Sequence, residues 1–124
     1  MMSWSTTYLE AGNSAISREN LQELAHHGCA DVRRRIAERK LVSPELLELL
    51  AEDSSPEVRS AVAANLQTPS KVLLKLALDP SADVRFSMAE NHQLPKSILA
   101  VLETDENTYV QWRAHVTMTH LRGS

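Results

Sequence analysis

Residues 55–80 read SPEVRSAVAANLQTPSKVLLKLALDP, and many columns of this stretch return 26 positions earlier and 26 positions later. The Val-Arg pair marks the register. It falls at Val32-Arg33, Val58-Arg59 and Val84-Arg85, with Val110-Gln111 in the last place. Ala37, Ala63 and Ala89 align, as do Ile36, Val62 and Met88. Further columns hold Leu46, Val72 and Ile98, then Leu47, Leu73 and Leu99, then Leu50, Leu76 and Leu102. Asp53, Asp79 and Asp105 close the units. A period of this length holds helix, turn, helix and turn, so it predicts an all-α solenoid of stacked two-helix repeats.

The full units run over residues 29–54, 55–80 and 81–106, and residues 107–124 supply the first half of another. Going backwards, Ala11, Asn13, Leu21, Leu24 and Ala25 fall on the same template, giving a partial unit over about residues 9–28. The expectation is one helical-repeat domain over residues 1–124, with about four stacked repeats.

Within residues 55–80, Ser55 is placed to cap a helix, Pro56 to occupy its first position and Glu57 to favour its dipole. Val58, Ala61, Val62 and Leu66 recur at helical spacing and predict one apolar face. Asn65 stands where a left-handed residue would stop that helix. Thr68-Pro69 opens the second helix, with Val72, Leu73, Leu76 and Ala77 as its apolar face, and Asp79-Pro80 ends it. Ser43-Pro44 and Leu94-Pro95 act likewise, but Pro44 comes one residue late, which predicts a differently built turn. No period of two occurs, so strands are disfavoured.

Composition agrees with a folded domain: 124 residues, 43% hydrophobic and 23% charged. Aromatic content is only 4%, so the core must be aliphatic. The net charge of −3 argues against wholesale binding of nucleic acid or anionic membranes. A single cysteine, Cys29, precludes an internal disulfide and leans towards the cytoplasm. No apolar run approaches the length of a membrane span, and residues 1–12 are too polar for a signal peptide.

These repeats resemble the leucine-rich repeat variant family. The carrying motifs are Glu57-Val58-Arg59, Ala63-Ala64-Asn65, Thr68-Pro69 and residues 73–79 of the second unit. Asp83-Val84-Arg85 and Ala89-Glu90-Asn91 carry it in the third. The resemblance implies a right-handed superhelix of paired helices, related to HEAT and armadillo arrays, in which some helices are 3₁₀. Arg39 in place of the expected Asn, Gln111 in place of Arg, and His27 in place of Asp are departures. A founding member of that family carries an iron–sulfur cluster, which needs about four thiolates. With Cys29 alone the chain cannot hold one by itself, and no cofactor is expected.

Arg33, Arg59 and Arg85 are readable as a phosphate-tracking stripe. The equally regular Asp53, Asp79 and Asp105 favour a structural ladder that ties adjacent repeats. Arg33, Arg34, Arg35, Arg39 and Lys40 place five of thirteen basic residues within eight positions. Arg34 and Arg35 lie off the Val32/Ile36 face and are expected to meet solvent, as a basic patch or simply as a solvated helix face. Phe86 and Trp112 are one period apart, with Tyr109 nearby, and read as a partner-binding ridge. Alternatively, Trp112 packs into the C-terminal cap. Glu45, Glu48 and Glu52 give way to Lys71, Lys75 and then Lys96, a change of sign that suits either a directional ligand or solubility. His26-His27-Gly28-Cys29 lacks a second ligand pair at zinc-like spacing, so no metal is expected, and Gly28 reads as a helix stop. His115 and His120 are no stronger.

No nucleophile–base–acid set or phosphate loop is recognisable, so the expectation is a non-enzymatic protein- or peptide-binding module in the cytoplasm. A small HEAT-like nucleic-acid binder using Arg33 to Lys40 is the alternative. A metal or redox accessory protein stands behind both.

Overall fold

The computed structural model describes residues 4–13 and 16–123. Among these it contains nine α-helices and neither strand nor 3₁₀ segment. They are α1 (Trp4–Ala11), α2 (Arg18–Leu24), α3 (Ala30–Ala37), α4 (Pro44–Leu50), α5 (Pro56–Ala64), α6 (Ser70–Leu76), α7 (Ala82–Ala89), α8 (Lys96–Leu102) and α9 (Thr108–Gly123). Helix starts alternate 14 and 12 residues apart from Trp4 to Thr108. The period therefore begins one helix earlier than the apolar columns alone reveal. The result is an all-helical repeat fold, consistent with an α-solenoid.

Eight of the helices have only 7–9 residues. Helices that short do not persist alone in water, so packing must hold them. The repeat columns supply that packing. Val32, Val58, Val84 and Val110 are buried, as are Ile36, Val62, Met88 and Ala114. On the second helices Leu46, Val72 and Ile98 are buried, with Leu47, Leu73, Leu99 and Leu50, Leu76, Leu102. Each such side chain contributes about 1.5–3 kcal/mol when removed from water.

The chain falls into two compact units, one up to Pro69 and one from Ser70 onward. In the first, α3 packs between α1 and α5, with α2 and α4 against it. In the second, α7, α8 and α9 pack on one another. Helix α9 has 16 residues, twice the length of its counterparts. Where the three full repeats break at a proline turn, residues 117–121 (Thr-Met-Thr-His-Leu) carry no breaker and the helix continues.

Several local expectations change. Asn65 is extended (φ −75°, ψ 126°) rather than left-handed, and no described residue has a positive φ. Helix α5 ends at Ala64, so Leu66 leaves the apolar face and is 73% exposed. Gly28 stops nothing: α2 already ends at Leu24, with Ala25 as its right-handed cap. Ser55 makes no side-chain cap. Its Oγ donates to Glu57 at 2.8 Å, and its N–H donates to Asp53 Oδ1 at 2.9 Å. The late Pro44 does mark a different turn, because Ser43 Oγ accepts from Leu46 N–H at 3.2 Å, while Pro95 caps α8 with no side-chain bond.

Candidate functional site

The Val-Arg column sits on the first helix of each pair with its valines buried, and Arg33 and Arg85 turn towards the ends of α4 and α8. Arg33 Nε donates to Asp53 Oδ2 at 2.7 Å and Nη2 to Oδ1 at 3.2 Å, a two-pronged pair joining residues 20 apart. Arg85 and Asp105 repeat it in the second unit, at 2.8 and 3.4 Å. The third nitrogen of the fork is used too. Arg33 Nη1 donates to the His27 carbonyl, Arg59 Nη1 to the Asp53 carbonyl, and Arg85 Nη1 to the Asp79 carbonyl.

Asp53 consequently holds two arginines, Arg33 through its carboxylate and Arg59 through its carbonyl. Its Oδ1 also accepts the Ser55 N–H, as Asp79 does from Ser81 and Asp105 from Asn107. These side-chain turns place the start of each following helix. The hydrogen bond that Arg33 donates to Asp53, and the charge of that carboxylate, hold the Arg33 pKa above the ordinary arginine value against the opposing effect of burial. Gln111, in the last place of the column, is exposed.

The basic cluster is not a solvated face. Arg34 and Arg35 are both half-buried, because α1 packs over α3. Arg34 pairs with Glu38 at 3.1 Å and Asp31 at 3.6 Å. The Arg35 guanidinium lies 5.3 Å from the centre of the Tyr8 ring, a cation–π contact, with its Nε buried and without an acceptor. Arg39 Nη1 donates to the carbonyls of Ala11 and Asn13, and burial lowers its pKa. Lys40 is exposed. Sequence reasoning missed Tyr8, although it stands one period before Arg34 in the column that leads on to Phe86 and Trp112.

That column ends in the aromatic ridge. Phe86 on α7 is half-buried, while Trp112 and Tyr109, at helical spacing on α9, are 59% and 75% exposed. Helices α7 and α9 pack directly, so the three rings belong to adjoining elements of one unit. The Trp112 indole is not packed into a cap. Nearby on α9, His115 Nδ1 lies 3.1 Å from Glu103 Oε2.

His27 Nδ1 accepts the Cys29 N–H at 2.9 Å, tying the histidine into the turn that opens α3. Among the described residues no group of three or more His, Cys, Asp or Glu is arranged to hold a metal ion. Among the described residues no helix is long and apolar enough to cross a membrane. Glu45, Lys71, Lys75 and Lys96 are exposed on the second helices of their pairs, with Glu48 half-buried and Glu52 exposed in the turn after α4.

No curated protein and no solved structure shows a significant match to the chain. Family models do match within the repeats. Residues 42–68 match the HEAT repeat, and residues 56–81 match the leucine rich repeat variant, in register with the stretch that first revealed the period.

Proposed function

We propose that the chain is a non-catalytic repeat module that binds a protein or peptide, with Phe86, Tyr109 and Trp112 as its docking face. The observation that carries this reading is where the aromatic residues stand. The chain has five, and three of them are on α7 and α9, with Tyr109 and Trp112 largely in water. Large aromatic side chains left exposed on a rigid helix are the typical anchors of protein interfaces. HEAT and leucine-rich-variant repeats commonly serve as interaction scaffolds, which supports the same reading.

The nucleic-acid alternative loses ground because its cations are engaged. Arg33 is paired with Asp53, Arg34 with Glu38 and Asp31, and Arg35 lies against Tyr8. The Arg–Asp ladder is read as structural. The period running through residues 4–123 supports one helical-repeat domain, and the lone Cys29 suits a reducing compartment such as the cytoplasm.

The test is affinity capture from the native cell with the wild-type chain and the Phe86→Ala/Trp112→Ala double variant. The reading requires a bound protein that the double variant loses while its melting temperature stays within a few degrees. Capture that survives the double substitution assigns the binding elsewhere.

A further inference from the structure

The first repeat departs from the others at one turn. In the second and third, Asn65 Oδ1 accepts from Gln67 N–H at 2.8 Å and Asn91 Oδ1 from Gln93 N–H at 2.9 Å, closing the turn between the helices. Arg39 holds that column in the first repeat and offers no side-chain acceptor, so it cannot close the same turn. Leu41 stands where Gln67 and Gln93 stand, and it is 81% exposed.

Beside this turn, within the first unit, lies an open groove of about 420 Å³. Leu21, Leu41 and Leu46 form apolar walls, and Arg18 and Arg39 stand at its side with no acidic residue in the lining. Arg39 uses Nη1 on two carbonyls, while its Nε is buried without an acceptor. The Arg18 guanidinium has no partner among the described residues. Two cations with no carboxylate against them, set beside aliphatic walls, complement one kind of ligand.

We propose that this groove is a second docking site, and that it takes a peptide presenting a carboxylate beside aliphatic side chains. The aliphatic side chains cover Leu41, and the carboxylate meets Arg18 and the open side of Arg39. This site is separate from the aromatic ridge and does not depend on it.

The test is a backbone-amide NMR titration of the full chain with acetyl-Gly-Asp-Leu-Leu-Gly-amide and with the analogue carrying Asn in place of Asp. The acidic peptide is expected to shift residues 16–22 and 41–46. It should bind about fivefold more tightly than the analogue, the ratio that one partly exposed charge pair supplies. Arg18→Gln, a change at an exposed first helical residue, narrows that ratio. Arg39→Asn narrows it further, while Trp112→Ala leaves it unchanged. Equal binding of the two peptides, shifts confined to other residues, no shifts at millimolar peptide, or a ratio that neither arginine variant moves would each overturn the proposal.

Discussion

Arg39 and Asn65 stand one period apart, differ in charge and length, and make the same pair of bonds. Arg39 Nη1 lies 2.9 Å from the Ala11 carbonyl and 2.8 Å from that of Asn13. Asn65 Nδ2 lies 2.8 Å from the carbonyls of both Ala37 and Arg39. In the second unit Thr117, from the same column, donates to the Ala89 carbonyl at 2.6 Å. The last carbonyls of a helix have no partner within it. Here a side chain at this column of the next repeat, just past the end of α3 or α5 or within α9, provides one, so a helix end that would need solvent becomes a joint.

Removing the joint has a calculable consequence. Asn65→Ala leaves the Ala37 and Arg39 carbonyls and the Gln67 N–H without their partner, and should cost about 1–3 kcal/mol. Arg39→Ala should cost a similar amount, whereas Arg39→Asn should stay within about 1 kcal/mol of wild type because Asn65 shows that the shorter donor reaches. Urea unfolding of the three variants checks this. Equal losses for Arg39→Asn and Arg39→Ala would show that the two side chains are not equivalent.

The Arg33–Asp53 pair supports a second prediction. Its side chains are only 14% and 7% exposed, so removing one partner strands a charge with little water to receive it. Asp53→Asn keeps Oδ1 for the Ser55 N–H and disturbs chiefly the ion pair. It should destabilise by about 3 kcal/mol. Arg33→Met in that background should cost less than Arg33→Met alone, since the stranded charge is gone. A double-mutant cycle with no coupling would remove the pair from the account of stability.

How much of this was legible in the sequence depended on what each residue does. The buried columns were, because Val32, Leu47 and their counterparts are apolar at fixed spacing and nothing else explains the pattern. Arg39 was visible as a departure from Asn and as one cation of the basic cluster, not as a joint. Comparing letters hides that both are donors able to reach two carbonyls. Arg34 and Arg35 were assigned to solvent because α1 carries few of the apolar residues that mark the other helices, so the element that covers them gave no signal. The aromatic ridge was legible as a column, but the letters alone left Trp112 open between that ridge and the C-terminal cap, because they do not show which side of the last helix is covered.

Exposure of that ridge makes a third prediction, in which stability and binding separate. Tyr109→Ala and Trp112→Ala remove side chains that lie mostly in water, so each should shift stability by no more than about 0.5 kcal/mol. An interface anchor of this type is worth about 2 kcal/mol or more to binding. Trp112 emission should also be red-shifted in the free chain and move to the blue when a partner covers it. A blue emission in the free chain, or a large loss of stability in Trp112→Ala, would mean that the indole packs within the fold.

Gly12 follows Ala11, the last residue of α1, with an ordinary negative φ, so its lack of a side chain serves space rather than backbone conformation. A Cβ there would lie 2.5 Å from Arg35 Nε and 2.7 Å from Nη2. Where nothing opposes it, replacing glycine by alanine stabilises by about 0.4–1 kcal/mol through the unfolded chain. Here the guanidinium must leave its place over Tyr8, losing a contact worth about 0.5–2 kcal/mol when partly desolvated. Gly12→Ala should therefore be neutral to destabilising in the wild-type chain and stabilising in an Arg35→Ala background. Melting curves of the four proteins read the change of sign. The same effect of Gly12→Ala in both backgrounds would show that the arginine does not set the requirement for glycine, and that α1 is held to α3 by other contacts.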